Sequence, residues 1–437
     1  MQKQFFKYIT QSVAAMIGFS IYILADTFFI SVQSGADGLA VLNLILPVYG
    51  LVYAIGSMIG IGSATRYAID RSRQQNTDFY FTQSVFWALL CSVPFIFTGI
   101  FFPEKFLAIL GADHGLILLG KSYLRIMLIA SPLFMVNYTF TAFARNDHAP
   151  SRAMTGAIAG SLFNILFDYI FMFPMGLGLA GAALATAVSP AITMTVCSTH
   201  FLGKRNGVAF KWKSPSLCHL VSCCQLGISA FVGEISSAIT TIIFNMLILG
   251  IAGNVGVAAY GVIANLSLVA MSIFNGLAQG AQPLISQNYG KGSQKNVKKL
   301  LKWSLLSCLI LELVIVFISF GFTDVLIGIF NSENNLQLLN YAHTGLRIYF
   351  LGFLFAGINI MLVAYFSATD SPLPAITGSL MRGIIAIALS AVILSKLLGL
   401  NGVWGSFLSS EVITIIVILL LAKLVPFSSA KNNCPNR

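Results

Sequence analysis

The chain has 437 residues, 57% of them apolar and only 9% charged, with a mean hydropathy of +0.86 and a formal charge of +11. Soluble globular proteins carry about 25% charged residues, so an ordinary cytoplasmic globule, a disordered chain and a disulfide-stapled secreted domain are excluded. The positive excess, which in a soluble protein would point to nucleic acid, reads here as basic loops that hold a membrane protein from its cytoplasmic side.

A helix that crosses hydrocarbon needs roughly 20 apolar residues. Breaks at Gly, Pro and charge clusters predict twelve such runs, at 13–32, 42–65, 82–101, 122–143, 153–173, 181–202, 219–249, 257–285, 303–322, 345–366, 374–395 and 402–423. The first run is followed by Gly35–Gly38 and a second apolar run, with no small-residue cleavage site, so a cleavable signal peptide is not expected. Pro47 and Pro132 should kink their helices. The N-terminus, every second connection and the C-terminus carry 19 Lys and Arg, whereas the opposite loops carry Lys105, Lys121 and Lys396. This bias places both termini in the cytoplasm. The seven cysteines mostly fall in apolar runs and form no C-x-x-C pair, so they read as small buried hydrophobes.

The second half repeats the first with a shift of about 218 to 222 residues. Leu124-Arg125-Ile126 matches Leu346-Arg347-Ile348, Ala153-Met154-Thr155-Gly156 matches Ala375-Ile376-Thr377-Gly378, and Gly178-Leu179-Ala180-Gly181 matches Gly399-Leu400-Asn401-Gly402. Six spans per half is an even number, so the halves share one orientation and are parallel repeats. The expectation is an all-α integral membrane protein of about twelve helices in two pseudo-symmetric six-helix lobes, 1–202 and 217–425. A basic cytoplasmic linker, 203–216, joins them, with Trp212 at headgroup level, and a cytoplasmic tail occupies 426–437. Two such lobes around a cleft suit alternating access.

Five acids lie inside the predicted spans: Asp26, Asp168, Glu234, Glu312 and Glu411. Each costs about 2.5–3.5 kcal/mol at mid-bilayer on insertion scales, and an intramembrane acid is a functional candidate by default. Asp26 lies about 20 Å and Asp168 about 22 Å from the same edge at 1.5 Å per residue, which puts them at similar depth in the first lobe. Asn164 is one helical turn before Asp168 on the same face. Two acids and an amide facing one cavity can hold a proton, a sodium ion or an organic cation; the alternative is structural hydrogen bonding. Glu234 occupies the corresponding stage of the second lobe. Glu312 and Glu411 have no polar neighbour at helical spacing and read as structural caps or protonated buried acids. Gly176–Gly181 fits G-x-G-x-x-G but lies in a short outer loop without a strand, so it is no dinucleotide site. Gly56, Gly60, Gly156, Gly160, Gly276 and Gly280 have the spacing of close helix packing. There is no Walker A sequence and no H-E-x-x-H, which disfavours ATP as the energy source and a membrane metalloprotease.

Ala25-Asp26-Thr27, Asn164-Ile165-Leu166-Phe167-Asp168, Gly181-Ala182-Ala183-Leu184-Ala185-Thr186 and Gly276-Leu277-Ala278-Gln279-Gly280-Ala281-Gln282-Pro283 stand in order on the first, fifth, sixth and eighth runs. In this the chain resembles the bacterial multidrug efflux branch of the multidrug and toxic compound extrusion (MATE) family, over about residues 13–425. The resemblance implies an antiporter of the bacterial plasma membrane, driven by H⁺ or Na⁺, that exports lipophilic, often cationic drugs. It implies a coupling network of Asp26, Asn164, Asp168 and Thr186, with any Na⁺ held at the first three, and a second-lobe acid at Glu234. It implies no catalysis, no cofactor beyond the coupling ion, no nucleic acid, and a monomer in contact with lipid. The 345–366 run lacks the acid that such members carry in the tenth span, and 13–32 lacks the proline at which some bend the first helix, leaving Gly18 as its weak point. A flippase for lipid-linked sugars is the competing expectation; its anionic cargo calls for a basic cleft. A membrane-embedded transferase would need D-D-x-x-D or H-x-x-x-x-D, and neither occurs.

Overall fold

The computed structural model describes residues 1–203, 206–330 and 335–424; the expected tail 426–437, Cys434 and the Lys204-Arg205 pair lie outside the described residues. Every regular element among the described residues is a helix. Nine helices are long and apolar enough to cross a membrane, and two further spans are bent pairs. The longest, Leu217–Gly290, has 74 residues. Straight, it would reach about 110 Å, against a hydrocarbon core of about 30 Å. It turns back at Gly253, where φ is 63° and ψ is −161°. The rings of Phe244 and Tyr260 consequently lie 5.2 Å apart, where a straight helix would separate them by about 24 Å. The helix is therefore two spans, which makes twelve among the described residues.

Gly35, with φ 58° and ψ −146°, makes the same turn between the first span, Gln2–Gly35, and the second, Asp37–Ser72. Phe19 and Tyr53 on these two spans come within 6.3 Å. The third, fifth and sixth spans are Tyr80–Phe101, Pro150–Met172 and Gly178–Phe201. The seventh and eighth occupy 217–252 and 254–290; the ninth, eleventh and twelfth are Gln294–Gly321, Pro372–Leu398 and Leu400–Leu421. The internal repeat is written in the backbone as well. Left-handed residues pair at the same shift: Gly35 with Gly253, Gln74 with Gly292, His148 with Asp370, and Gly178 with Gly399.

Two features depart from the apolar pattern. The fourth span is His114–Ile129 joined to Ser131–Asn146 at 43°, and the tenth is Leu336–Phe350 joined to Phe353–Ala368 at 45°. Pro132 opens the second half of the fourth span, where its missing N–H breaks the ladder; Gly352 stands at the matching bend of the tenth. Each bent span is preceded by a short helix, Pro103–Ile109 or Thr323–Gly328, that hydropathy alone does not separate from its neighbours. Pro47 leaves the second span unbroken, and Gly18 stays helical.

The described part of the expected linker, 206–216, runs as a strap docked on the first lobe. The Gly207 N–H donates to Asp147 Oδ2 (2.8 Å), and Tyr67 Oη donates to the Gly207 carbonyl (3.1 Å). Lys211 pairs with Asp78 at 2.6 Å, Thr82 Oγ1 donates to the Lys211 carbonyl (2.7 Å), and Gln83 Nε2 donates to that of Ser214 (3.2 Å). Trp212, expected at the headgroups, is exposed and packs on Phe86. Cys91, Cys197, Cys223, Cys224 and Cys308 are free thiols, whereas Cys218 is disulfide-bonded, so the reading of every cysteine as a simple hydrophobe fails there.

The lobes meet at the end of the molecule where the basic loops gather. Gly62 and Gly227 bring the second and seventh spans together: a Cβ on Gly62 would lie 2.2 Å from the Cys223 carbonyl oxygen, and one on Gly227 1.9 Å from that of Met58. Phe5, Tyr8 and Ile9 at the start of the first span are buried in the core of the second lobe.

Candidate functional site

Asp26, Asn164, Asp168 and Thr186 come together inside the first lobe, on three helices. Asn164, Asp168 and Thr186 are buried, and Asp26 is 8% exposed. The spacing of Asn164 and Asp168 puts both on the face of the fifth span that meets the sixth. Small residues permit that approach. A Cβ on Gly156 would lie 2.9 Å from the Thr193 carbonyl oxygen, and Ser189 Oγ donates to the Gly160 carbonyl at 2.8 Å.

Asn164 bridges the other two fifth- and sixth-span residues. The amide orientation that satisfies all its neighbours has its nitrogen donating to Asp168 Oδ2 (3.0 Å). Its oxygen then accepts from the Thr186 hydroxyl (3.1 Å) and backbone N–H (3.2 Å). Asp26 joins from the first span, and its charge acts on Asp168. Oδ1 of Asp26 and Oδ1 of Asp168 are buried without a hydrogen-bond partner. Neither carboxylate has an ion-pair partner among the described residues. Buried polar groups normally find partners, and the described residues supply none to these two oxygens. The free oxygens of the two carboxylates are the hard donors that a small cation takes, and a proton could replace it.

Glu234 does not join this group. It is accessible, and its Oε1 accepts from Tyr138 Oη (3.5 Å), a contact from the fourth span across the lobe boundary. Behind Tyr138 stands an aromatic wall absent from the sequence reading. Tyr138 packs edge-on to Tyr53 with ring centroids 5.5 Å apart, Tyr49 Oη donates to Tyr53 Oη, and Phe134 lies 5.2 Å from Tyr49. Tyr22, close enough to feel the charge of Asp26, joins the same cluster of hydroxyls. The one sequence signal for this wall is the i, i+4 spacing of Tyr49 and Tyr53 on an apolar span.

Glu312 and Glu411 are buried with cross-helix partners that helical spacing cannot reveal. Glu411 pairs with Arg382 (2.8 Å) and accepts from Asn359 Nδ2 (2.7 Å), while Glu312 Oε1 accepts the Ile358 backbone N–H (2.9 Å). Among the described residues no three His, Cys, Asp or Glu side chains are grouped to hold a metal ion.

The family model described as MatE matches residues 12–170 and 229–392, one stretch in each lobe. The chain belongs to the MATE family. It is 27% identical over 421 residues to the multidrug export protein MepA of Staphylococcus saprophyticus, covering 95% of this chain and 92% of that protein. To the MepA of Staphylococcus aureus strain MRSA252 it is 26% identical over 411 residues, covering 93% and 90%. Among solved structures, an outward-facing multidrug resistance MATE transporter of the MOP superfamily superposes with a TM-score of 0.88 at 21% identity, covering 96% of this chain and 95% of that one. A MOP superfamily transporter from Pyrococcus furiosus, described as having a binding pocket of reverse polarity, gives 0.87 at 22% identity with the same coverage. These likenesses fix the fold of this MATE protein as a multi-pass membrane transporter architecture.

Proposed function

We propose that this MATE protein is an antiporter of the bacterial plasma membrane that expels lipophilic, often cationic drugs in exchange for H⁺ or Na⁺. The observation that carries the reading is the pair Asp26 and Asp168: two buried carboxylates with unpartnered oxygens and no ion-pair partner among the described residues, Asp168 being held by Asn164, which also binds Thr186. Two carboxylates without an ion-pair partner attract a cation, and an inward-moving ion and an outbound drug that both seek their negative charge weaken each other reciprocally. The relatives named as multidrug export proteins support the cargo class. Glu234 and the aromatic wall give the cleft an anionic, polarisable lining for a flat cation. The basic end, closed here by the lobe contact, faces the cytoplasm in this scheme, and rocking of the lobes opens it in turn. No metal or organic cofactor enters the scheme beyond the coupling ion, and the working unit is a monomer.

The acidic lining disfavours a flippase for lipid-linked sugars, whose anionic headgroups call for cations. Proteoliposomes given a pH gradient alone, then a sodium gradient alone, test the proposal with a fluorescent cation as the reporter. At least one gradient drives the dye in the wild type and neither does so in Asp26→Asn. Transport of equal rate in that variant refutes the scheme.

A further inference from the structure

The second lobe holds a buried polar cluster that the antiport scheme does not use. It draws on four helices: Glu312 on the ninth span, Asn359 on the tenth, Arg382 on the eleventh and Glu411 on the twelfth. Glu312, Asn359 and Glu411 are 0%, 0% and 1% exposed. Arg382 Nη2 sits 2.8 Å from Glu411 Oε1, and Asn359 Nδ2 donates to Glu411 Oε2 (2.7 Å) and to the Glu411 carbonyl (2.9 Å). That pair is neutral overall. Glu312 is the charge left over. Its Oε1 accepts from the Ile358 N–H, but its Oε2 has no partner, and Asn359 Oδ1, on the residue beside Ile358, has none either. The other ionisable groups within reach are Cys308, one turn earlier on the ninth span, and Glu411; Tyr349 feels Glu411 and Arg382.

We propose that Glu312 is a proton-binding site of the second lobe, separate from the Asp26–Asp168 pair and tied to it through the cleft. Four observations carry this. A structural cap would need only Oε1, so the orphaned Oε2 is unexplained by capping. A metal ion is the wrong occupant, because Glu312 Oε2 and Asn359 Oδ1 are the only free oxygens there among the described residues, the Ile358 and Gly357 N–H groups and the Cys308 thiol crowd the same carboxyl, and the Arg382 guanidinium stands behind Glu411, whereas hard cations take about six oxygen donors or more. A proton needs no cage: on Oε2 it cancels the uncompensated charge and turns an orphaned acceptor into a donor.

The cluster is also no relic of the duplication. At the repeat shift its acids and arginine fall on Ser92, Pro190 and Gly160, and only Asn359 has a like partner, Asn137. Finally, Arg382 lies in a π-helical turn, Met381–Ile385, a local defect that recurs at functional sites. The next residue, Gly383, is pressed against Ser236, two residues from Glu234: a Cβ there would lie 2.0 Å from Ser236 Oγ. The cluster thus touches the seventh span where that span lines the cleft.

This inference deepens the antiport reading and rests on it for its link to drug. The test uses the full chain in lipid bilayers, with infrared detection of the protonated-carboxyl stretch and a pH dye, and tetraphenylphosphonium as the probe. At neutral pH a protonated-carboxyl component that persists in Asp26→Asn and in Asp168→Asn is expected, and this component is expected to vanish in Glu312→Gln. Tetraphenylphosphonium should diminish the band in the wild type, and protons released per cation bound should fall by one in Glu312→Gln. Glu312→Asp, which keeps the acid, should shift the band without abolishing it and decides the assignment if the Gln variant does not fold. An unchanged band and unchanged release in Glu312→Gln, or a Glu312 band that the probe does not alter, overturns the proposal. Failure of the antiport reading is seen separately, as undiminished transport in Asp26→Asn.

Discussion

Asp26 and Asp168 were conspicuous in the sequence because an acid amid apolar residues has no cheap explanation in oil. Asn164 was legible from its i, i+4 spacing, and the structure adds what it does: it holds Asp168 and Thr186 at once. Replacing Asn164 with Ala removes both contacts, leaving Asp168 Oδ2 without its donor and the Thr186 hydroxyl without its acceptor, a loss of about 1–3 kcal/mol. The expected outcome is a protein that inserts but melts earlier in detergent and exports poorly; an unchanged melting temperature would mean that the bridge is not made. Partners lying far apart in the chain stayed hidden. Arg382 and Glu411 are 29 residues apart, and Tyr138 and Glu234 are 96. No helical spacing links such residues, and only packing brings them together.

At the scale of the helix, hydropathy located the spans well because lipid selects for composition. The kink expected at Pro132 is present, whereas the matching bend at Gly352 has no proline to announce it. The tight turns at Gly35 and Gly253 lie in a backbone region that is essentially confined to glycine. Gly253→Ala should therefore destabilise the second lobe by about 1–3 kcal/mol, read as a lower melting temperature of the purified protein, whereas Gly250→Ala, at a helical site with open space, should not. The strap was invisible for a different reason: its hold is polar, and at Gly207 its N–H is taken by one carboxylate. Asp147 takes the Gly207 N–H, the Arg71 guanidinium at 2.5 Å and His200 Nε2 at 2.8 Å. Asp147→Ala leaves three donors without an acceptor, and the expected outcome is rapid proteolytic cleavage within 203–216. Resistance equal to the wild type would show that the aromatic contacts of Phe210 and Trp212 suffice.

Across the whole molecule, the lobes are joined at the basic end by a buried ion pair. Arg66 on the second span meets Asp370, between the tenth and eleventh, at 2.8 Å, with both side chains almost fully buried. Gln282 donates to Thr65 Oγ1 (3.0 Å) and Gln287 to the Asn146 carbonyl (3.0 Å) alongside it. Removing one partner of a buried pair costs about 3–5 kcal/mol, and here the cost falls on the closed arrangement, because opening lets water reach the bereft charge. Asp370→Asn should therefore favour the state open at the basic end. Cys223, 1% exposed at this seam, reports it: in a background with Cys223 as the single cysteine, a small maleimide should label the variant faster than the parent. Equal rates would remove Asp370 from the closure. The duplication that frames this motion was plain in the sequence, but which ends touch was not, because the glycines and ion pair that join them lie on different halves of the chain.

The central claim is that Asp26 and Asp168 hold either the coupling ion or the drug's positive charge, and equilibrium binding tests it most directly. The dissociation constant of an aromatic cation should rise as protons, or sodium, are added to the wild-type protein, and this dependence should vanish when Asp26 and Asp168 are both changed to Asn. A double variant whose affinity responds to both ions as the wild type does would contradict the account.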